Sequence, residues 1–233
     1  MKNTVCVTLI SLCLIANGQL RGEERLSIRD GKTEAAVDAG GNLVTLKNLE
    51  TGRNFAGGEP LWRLYYDKKD GQLENELTSG DCSVRVSKTD GAIVLRCDGF
   101  VDRGTPLDFQ LELTIRLEDG LVRFASEVRN NQPHTIIREL QYPLIGDVRF
   151  PDDFTLLTTH HGGQLWPNVK KYVNSVGNRT SYAAPAQFFR DASLVYPGAT
   201  SSNCFALTGE NEGVYFGSHD NTFQCTIHGV RVY

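Results

Sequence analysis

The sequence has no basic stripe, no C-x-x-C pair and no long apolar run beyond its first residues. Its 24 Lys and Arg residues are scattered among 28 Asp and Glu residues, and the formal net charge is −4. A nucleic-acid surface needs clustered positive charge, so this pattern speaks against a nucleic-acid partner. The usual zinc signatures need closely paired cysteines, and we predict no metal or other cofactor.

The chain also lacks an amphipathic helical pattern and an internal repeat of fixed period. Strict alternation takes their place, and it is longest over residues 107–131. Apolar side chains occupy every second position from Leu107 to Leu117, and a turn at Glu118-Asp119-Gly120 precedes a return arm that alternates less strictly. Period-two alternation is typical of a strand with one apolar face. The stretch therefore predicts a long β-hairpin.

Shorter alternating runs, separated by turns rich in Gly, Asp and Asn, cover much of the remaining chain. Because an apolar sheet face needs a second layer, we predict an all-β fold, a two-layer antiparallel β-sandwich in one domain over 19–233. The pattern decays into a loop over 146–185, where 155–159 is the only clear strand. Alternation still continues over 229–233, so we expect the natural chain to extend further.

The first 18 residues have the composition of a signal peptide. Lys2 precedes an apolar run over 5–15, and small residues follow up to Gly18. The run is too short to span a bilayer, which takes about 20 apolar residues. We predict a cleaved signal and a secreted or periplasmic protein without a membrane partner; an N-terminal anchor is the alternative.

Four cysteines follow the signal, and an exported protein can oxidise them. Cys82 and Cys97 flank a predicted hairpin whose four-residue loop, 88–91, would set them directly opposite each other. Cross-strand neighbours are near enough to bridge, so we predict a Cys82–Cys97 disulfide. Cys204 and Cys225 would pair only by elimination. Buried free thiols are the alternative for both pairs.

Three stretches carry a resemblance to a known family: LVTLKNLETG at 43–52, PLWRL at 60–64, and YPG at 196–198 with GVYFGSHD at 213–220. Together they resemble the N-terminal β-sandwich of large secreted bacterial proteins related to glycoside hydrolases. The resemblance implies a galactose-mutarotase-like supersandwich that precedes a catalytic (β/α)-barrel. Nothing here resembles that barrel, so its catalytic acids have no counterpart in this sequence.

The loop HHGGQLWPN at 160–168 contains the residue types that sugar recognition uses. Trp166 offers an aromatic plate for a pyranose ring, and His160, His161 and Asn168 offer polar groups for its hydroxyls. We predict carbohydrate binding by these four residues. The alternative is a packed loop whose tryptophan covers the edge of the sheets.

Three further residues are candidates for a border with another domain or a cleft: Trp62, His219 and Asp220. The alternative for Trp62 is core packing. An epimerase would need a general acid, His160 or His161, and a general base, Glu139 or Asp220. Spacing alone does not bring these groups together.

We therefore predict a non-catalytic N-terminal β-sandwich module of a secreted carbohydrate-active enzyme. Its partners would be carbohydrate and the downstream catalytic domain of the same chain, on which it packs beside the substrate cleft. An aldose 1-epimerase-like enzyme and a stand-alone carbohydrate-binding module are the alternatives. Fold likeness cannot separate the three, because function depends on the site.

Overall fold

The structure is a computed structural model of the 233-residue chain. It describes residues 25–58, 60–68, 75–118, 120–146, 154–160, 162–167, 192–196, 200–218 and 226–230. These residues contain no α-helix, and every pairing between the named strands is antiparallel. The predicted all-β antiparallel class is confirmed.

The described strands form two compact units, divided between Val148 and Arg149. The first unit contains twelve strands: β1 (Arg25–Arg29), β2 (Thr33–Asp38), β3 (Leu43–Asn48), β4 (Arg63–Lys68), β5 (Asn75–Leu77), β6 (Ser83–Thr89), β7 (Ala92–Asp98), β8 (Phe100–Asp102), β9 (Thr105–Leu107), β10 (Phe109–Glu118), β11 (Leu121–Asn130) and β12 (Thr135–Gln141). The second contains six: β13 (Thr155–His160), β14 (Gln164–Trp166), β15 (Ala192–Tyr196), β16 (Thr200–Thr208), β17 (Gly213–Gly217) and β18 (Thr226–Val230).

The strands of the first unit pair into four sheets. Their orders are β1-β2-β3, β11-β10-β7-β6, β12-β4-β5 and the two-stranded β8-β9. The second unit has a four-stranded sheet, β14-β13-β16-β17, and the pair β15-β18. Strand β10 occupies an interior position in the largest sheet of the first unit, so both of its edges are hydrogen-bonded.

The predicted long hairpin is present as β10 and β11. Glu118 pairs with Leu121, which leaves a two-residue turn, and Gly120 in that turn has φ +76°. Glycine adopts this left-handed conformation without the steric cost that other residues meet. The first arm is shorter than predicted, because Leu107 belongs to β9 and β10 begins at Phe109.

The two faces of β10 differ as the alternation predicts. Phe109, Leu111, Leu113 and Ile115 are buried, whereas the opposite face carries charge. There Glu112 accepts a hydrogen bond from Arg96 of β7 at 2.7 Å. Such exposed ion pairs contribute little stability, so the buried face is what holds this sheet in place.

An aromatic cluster joins three of the four sheets of the first unit. Tyr66 of β4 meets Phe109 of β10 edge-on at 5.3 Å between ring centroids, and Phe109 meets Phe100 of β8 at 6.1 Å. The Tyr66 hydroxyl donates a 2.6 Å hydrogen bond to the carboxylate of Asp102. Burial and that bond raise the pKa of Tyr66, so its hydroxyl stays protonated in the core.

Several short strands were not predicted from the sequence. Strand β14 lies inside the segment predicted as loop, and β8 and β9 form a tight hairpin around Arg103 and Gly104, both with positive φ. Strands of three residues are too short to show alternation, which explains the omission. The described part of the chain has no helix that is long and apolar enough to cross a membrane.

Replacing Leu113 by Ala should lower the free energy of unfolding by about 2–5 kcal/mol, because the side chain is 0% exposed and its removal leaves a cavity. Leu121→Ala is the matched control, since Leu121 is 47% exposed at the start of β11 and should cost no more than about 0.5 kcal/mol. Urea unfolding followed by circular dichroism measures both. Equal losses for the two variants would contradict the buried placement of β10.

Candidate functional site

The predicted sugar-binding loop lies on the β13–β14 hairpin of the second unit. Leu156 pairs with Trp166 and Thr158 pairs with Gln164, so β14 runs directly back along β13. Gly162 and Gly163, with φ of +93° and +110°, form the turn between the strands. Both angles favour glycine, which accounts for the paired glycines in the sequence.

Trp166 lies on the inner face of this sheet. Its register partner Leu156 is fully buried, and Trp166 itself is half-buried at the edge strand. The indole N–H donates a 3.1 Å hydrogen bond to the side-chain oxygen of Gln164. The ring therefore has a fixed position along the sheet edge, with part of its surface accessible.

The histidines of the loop are described only in part. The backbone of His160 ends β13 and pairs with Thr200, beyond a register shift that follows Thr158. The His160 side chain, all of His161 and Asn168 lie outside the described residues. The joint sugar-binding role of Trp166 with these three residues stays a prediction.

One polar residue of this hairpin was not singled out from the sequence. Thr158 is fully buried on the inner face, and its hydroxyl has no hydrogen-bond partner among the described atoms. It is the register partner of Gln164, which bonds Trp166. Alternation predicts that position 158 faces inward, but it gives no sign that a hydroxyl there lacks a partner.

Trp62, expected at a domain border or cleft, lies in the core of the first unit instead. It is 1% exposed and meets Phe100 edge-on at 6.0 Å between ring centroids. The residue precedes β4 and contacts the aromatic cluster, as the core-packing alternative describes. His219 and Asp220 follow β17 and lie outside the described residues.

The two cysteines predicted to bridge are close together, although their register differs from the prediction. The hairpin turn contains two residues, Asp90 and Gly91, so Cys97 pairs with Val84 and not with Cys82. A shift of two residues keeps Cys82 and Cys97 on the same face, because side chains alternate along a strand.

Both thiols are free in the structure. The hydrogen bond to the Cys82 thiol and burial raise the pKa of the Cys97 thiol. Cys82 caps a short 3₁₀ turn (Ser79–Asp81), and its sulfur lies 3.9 Å from the carbonyl oxygens of Thr78 and Ser79. The pair is placed so that oxidation could join the two sulfurs, and the disulfide stays a prediction. Cys204 is also a free thiol, and Cys225 lies outside the described residues.

Glu139, a base candidate of the epimerase alternative, lies on β12 of the first unit. Its carboxylate accepts a 2.9 Å hydrogen bond from the side-chain amide of Gln141. Within the described ranges, no group of three or more His, Cys, Asp or Glu side chains could hold a metal ion.

Comparisons with protein-family models, with curated proteins and with solved structures found no match to this chain. The assignment of a function therefore depends on the residues and on the geometry of the described strands.

Oxidation of Cys82 and Cys97 should raise the free energy of unfolding by about 3 kcal/mol, since the bridge would close a loop of about 15 residues in the unfolded chain. Urea unfolding with and without dithiothreitol measures the difference, and peptide mapping identifies the linked pair. The double variant C82S/C97S is the control and should unfold identically in both conditions. A bridge that joins Cys82 to Cys204 would contradict the prediction.

Proposed function

We propose that this chain is a non-catalytic β-sandwich module, galactose-mutarotase-like in its sheet packing, of an exported carbohydrate-active enzyme of the glycoside hydrolase type. It packs on the catalytic domain of the same protein and borders the substrate cleft. The all-β antiparallel architecture is consistent with this proposal. The observation that carries it is an apolar sheet face in the first unit that is only partly covered.

That face is the side of the β10–β11 hairpin that points into the core. On β10, Leu111 and Ile115 are at most 2% exposed. Their register partners on β11, Val128 and Phe124, are only half-buried, and Ser126 between them is exposed. The same sheet face is thus completely covered on one strand and open on the next.

The first unit covers the β11 side of this face in part. Tyr142 meets Phe124 edge-on at 5.7 Å between ring centroids, and its hydroxyl donates a 2.9 Å hydrogen bond to the backbone oxygen of Thr114. Val128 lies four residues farther along β11 than Phe124 and is half-buried. An apolar surface that faces a core direction and remains accessible is typical of a docking face for another domain.

The outer face of the same sheet is different in chemistry. Arg96 binds Glu112 and Arg123 binds Glu118, each pair at 2.7 Å with both side chains substantially exposed. Charged, paired residues of this sort suit a solvated surface. The contrast supports the inner side of β11, rather than the outer side, as the contact with a catalytic domain.

The carbohydrate part of the proposal comes from the resemblance of residues 43–52, 60–64, 196–198 and 213–220 to modules of glycoside-hydrolase-related proteins. The β13–β14 hairpin, with Trp166 at a sheet edge and two glycines in its turn, supplies the segment that would border the cleft. Export would follow from cleavage after the predicted signal peptide.

The coding sequence should continue beyond Tyr233 by enough codons for a (β/α)-barrel, which takes about 250 residues. In the longer protein, amide hydrogens of β11 should exchange more slowly than in the chain described here, because the catalytic domain covers that strand. Hydrogen–deuterium exchange with mass spectrometry compares the two. The longer protein should also hydrolyse at least one polysaccharide of a panel.

Strand β6 serves as the internal control, since it is the opposite edge of the same sheet and its exchange should not change. A stop codon directly after Tyr233 would contradict the module proposal. So would equal exchange of β11 in the two proteins.

A further inference from the structure

The four-stranded sheet of the second unit has two apolar faces. On its inner face, Leu156, Phe205 and Leu207 are buried. On its outer face, Leu165 of β14, Leu157 of β13, Ala206 of β16 and Tyr215 of β17 are directly opposite one another in the strand register. These four residues, here called the outer row, cross the whole sheet at one level.

The outer row is accessible. Leu165 is 69% exposed, Tyr215 52% and Leu157 39%. Adjacent strands lie about 4.8 Å apart, so four strands give a row about 14 Å long. Large apolar side chains that occur singly on a surface are ordinary, but a contiguous row marks a binding surface.

The ring of Tyr215 lies down along its own strand. The positions two residues before and after it, on the same face, are Gly213 and Gly217. A Cβ atom added to Gly217 would come within 2.2 Å of the Tyr215 hydroxyl and 2.6 Å of its Cζ. The ring thus occupies the space that a side chain at position 217 would need.

The Tyr215 hydroxyl lies beside Cys204 of the neighbouring strand, which is the register partner of Gly217. With glycine beneath it, the ring covers the backbone with one face. Its exposed surface is then the other face, which carries the negative potential of the π system.

Threonines flank the outer row on the same face. The Thr159 hydroxyl shares its one proton between the backbone oxygens of Ser202, at 2.7 Å, and Cys204, at 3.1 Å. The Thr208 hydroxyl donates to the backbone oxygen of Thr155 at 3.4 Å. A threonine hydroxyl is an acceptor as well as a donor, which is the chemistry that recognition of sugar hydroxyls uses. No described residue of this face carries a formal charge: Thr155, Leu157, Thr159, Leu165, Cys204, Ala206, Thr208, Gly213, Tyr215 and Gly217.

We propose that this outer face binds an extended, uncharged polysaccharide, one of whose pyranose rings stacks on Tyr215 while others lie along Leu157 and Leu165. A pyranose ring has an apolar face of C–H groups and a rim of hydroxyls, which matches a flat apolar row bordered by threonine acceptors. The inference rests on the carbohydrate class of the proposed function, and it adds a site on the outer face of the sheet, separate from His160, His161, Trp166 and Asn168.

The shape of the row favours a polysaccharide over a protein or a single sugar. A stable protein interface buries about 800 Å² on each partner, and its centre is apolar in two dimensions. The outer row is one residue wide, since threonine, glycine and Cys204 occupy the neighbouring positions on its strands. A monosaccharide would need a concave pocket to surround it, whereas a chain gains contacts along a flat surface.

Affinity electrophoresis and pull-down with insoluble cellulose, chitin, xylan and mannan test the site on the whole exported chain. The wild-type chain should bind at least one of them, and soluble oligosaccharides should compete better as they lengthen. Tyr215→Ala should weaken binding about three- to tenfold through loss of stacking. Tyr215→Phe keeps the ring and should bind within about twofold of wild type.

Gly217→Ala is the sharper variant, because it retains the tyrosine and displaces its ring from the backbone. It should weaken binding as Tyr215→Ala does while leaving the circular dichroism and the thermal unfolding midpoint unchanged. Ile136→Ala is the control, since Ile136 is 55% exposed but lies in the first unit. Its binding should equal that of the wild type.

Loss of binding in Trp166→Ala together with full binding in Tyr215→Ala would place the ligand at the β13–β14 loop and overturn the outer-face site. Failure of the wild-type chain to bind any of the four polysaccharides would overturn it as well. Neither result tests whether the module packs on a catalytic domain. The coding sequence and the hydrogen exchange of β11 test that proposal separately.

Discussion

The first unit depends on the burial of one face of β10. Four consecutive inward positions, from Phe109 to Ile115, are occupied by large apolar residues that are almost completely buried. Phe109 also joins this sheet to β4 through Tyr66 and to β8 through Phe100. Strand β10 must present this face inward for the aromatic contacts to form.

The burial of β10 also shows which face of the neighbouring strand β11 is left partly uncovered. It shares the face of β10 by register, yet its apolar side chains are only half-buried, while the outer face of the sheet carries paired charges. The charged face of this sheet is stable in water, whereas the accessible apolar side chains of β11 gain free energy when another surface covers them. This difference between the two faces is the physical basis of the proposed docking of a catalytic domain.

The second unit differs from the first, because its four-stranded sheet has apolar side chains on both faces. The inner face is buried, whereas the outer face keeps Leu165, Leu157 and Tyr215 accessible in one row. Gly217 leaves the space in which the tyrosine ring lies. A ligand with an apolar face and hydrogen-bonding rim would satisfy this surface, and an uncharged polysaccharide has both.

The two proposed carbohydrate sites thus lie on opposite faces of the same sheet. Trp166 is held by Gln164 at the inner side of the sheet edge, and Leu165, its neighbour in the chain, points to the outer face. Alternation along β14 separates them, so one hairpin contributes to a loop site on one side and to the outer row on the other. The loop site and the outer row can be altered independently.

The sequence by itself determined the all-β class, the long hairpin and the inward positions of β10, because period-two alternation is a local property. It also placed Cys82 and Cys97 on one face, since the register error of two residues preserved the alternation. Only the tertiary structure decided that Trp62 is a core residue, that Gln164–Trp166 forms a strand, and that Leu165, Leu157 and Tyr215 are aligned. Burial and cross-strand register depend on contacts between residues far apart in the chain, and a local sequence pattern does not specify which of these residues will be in contact.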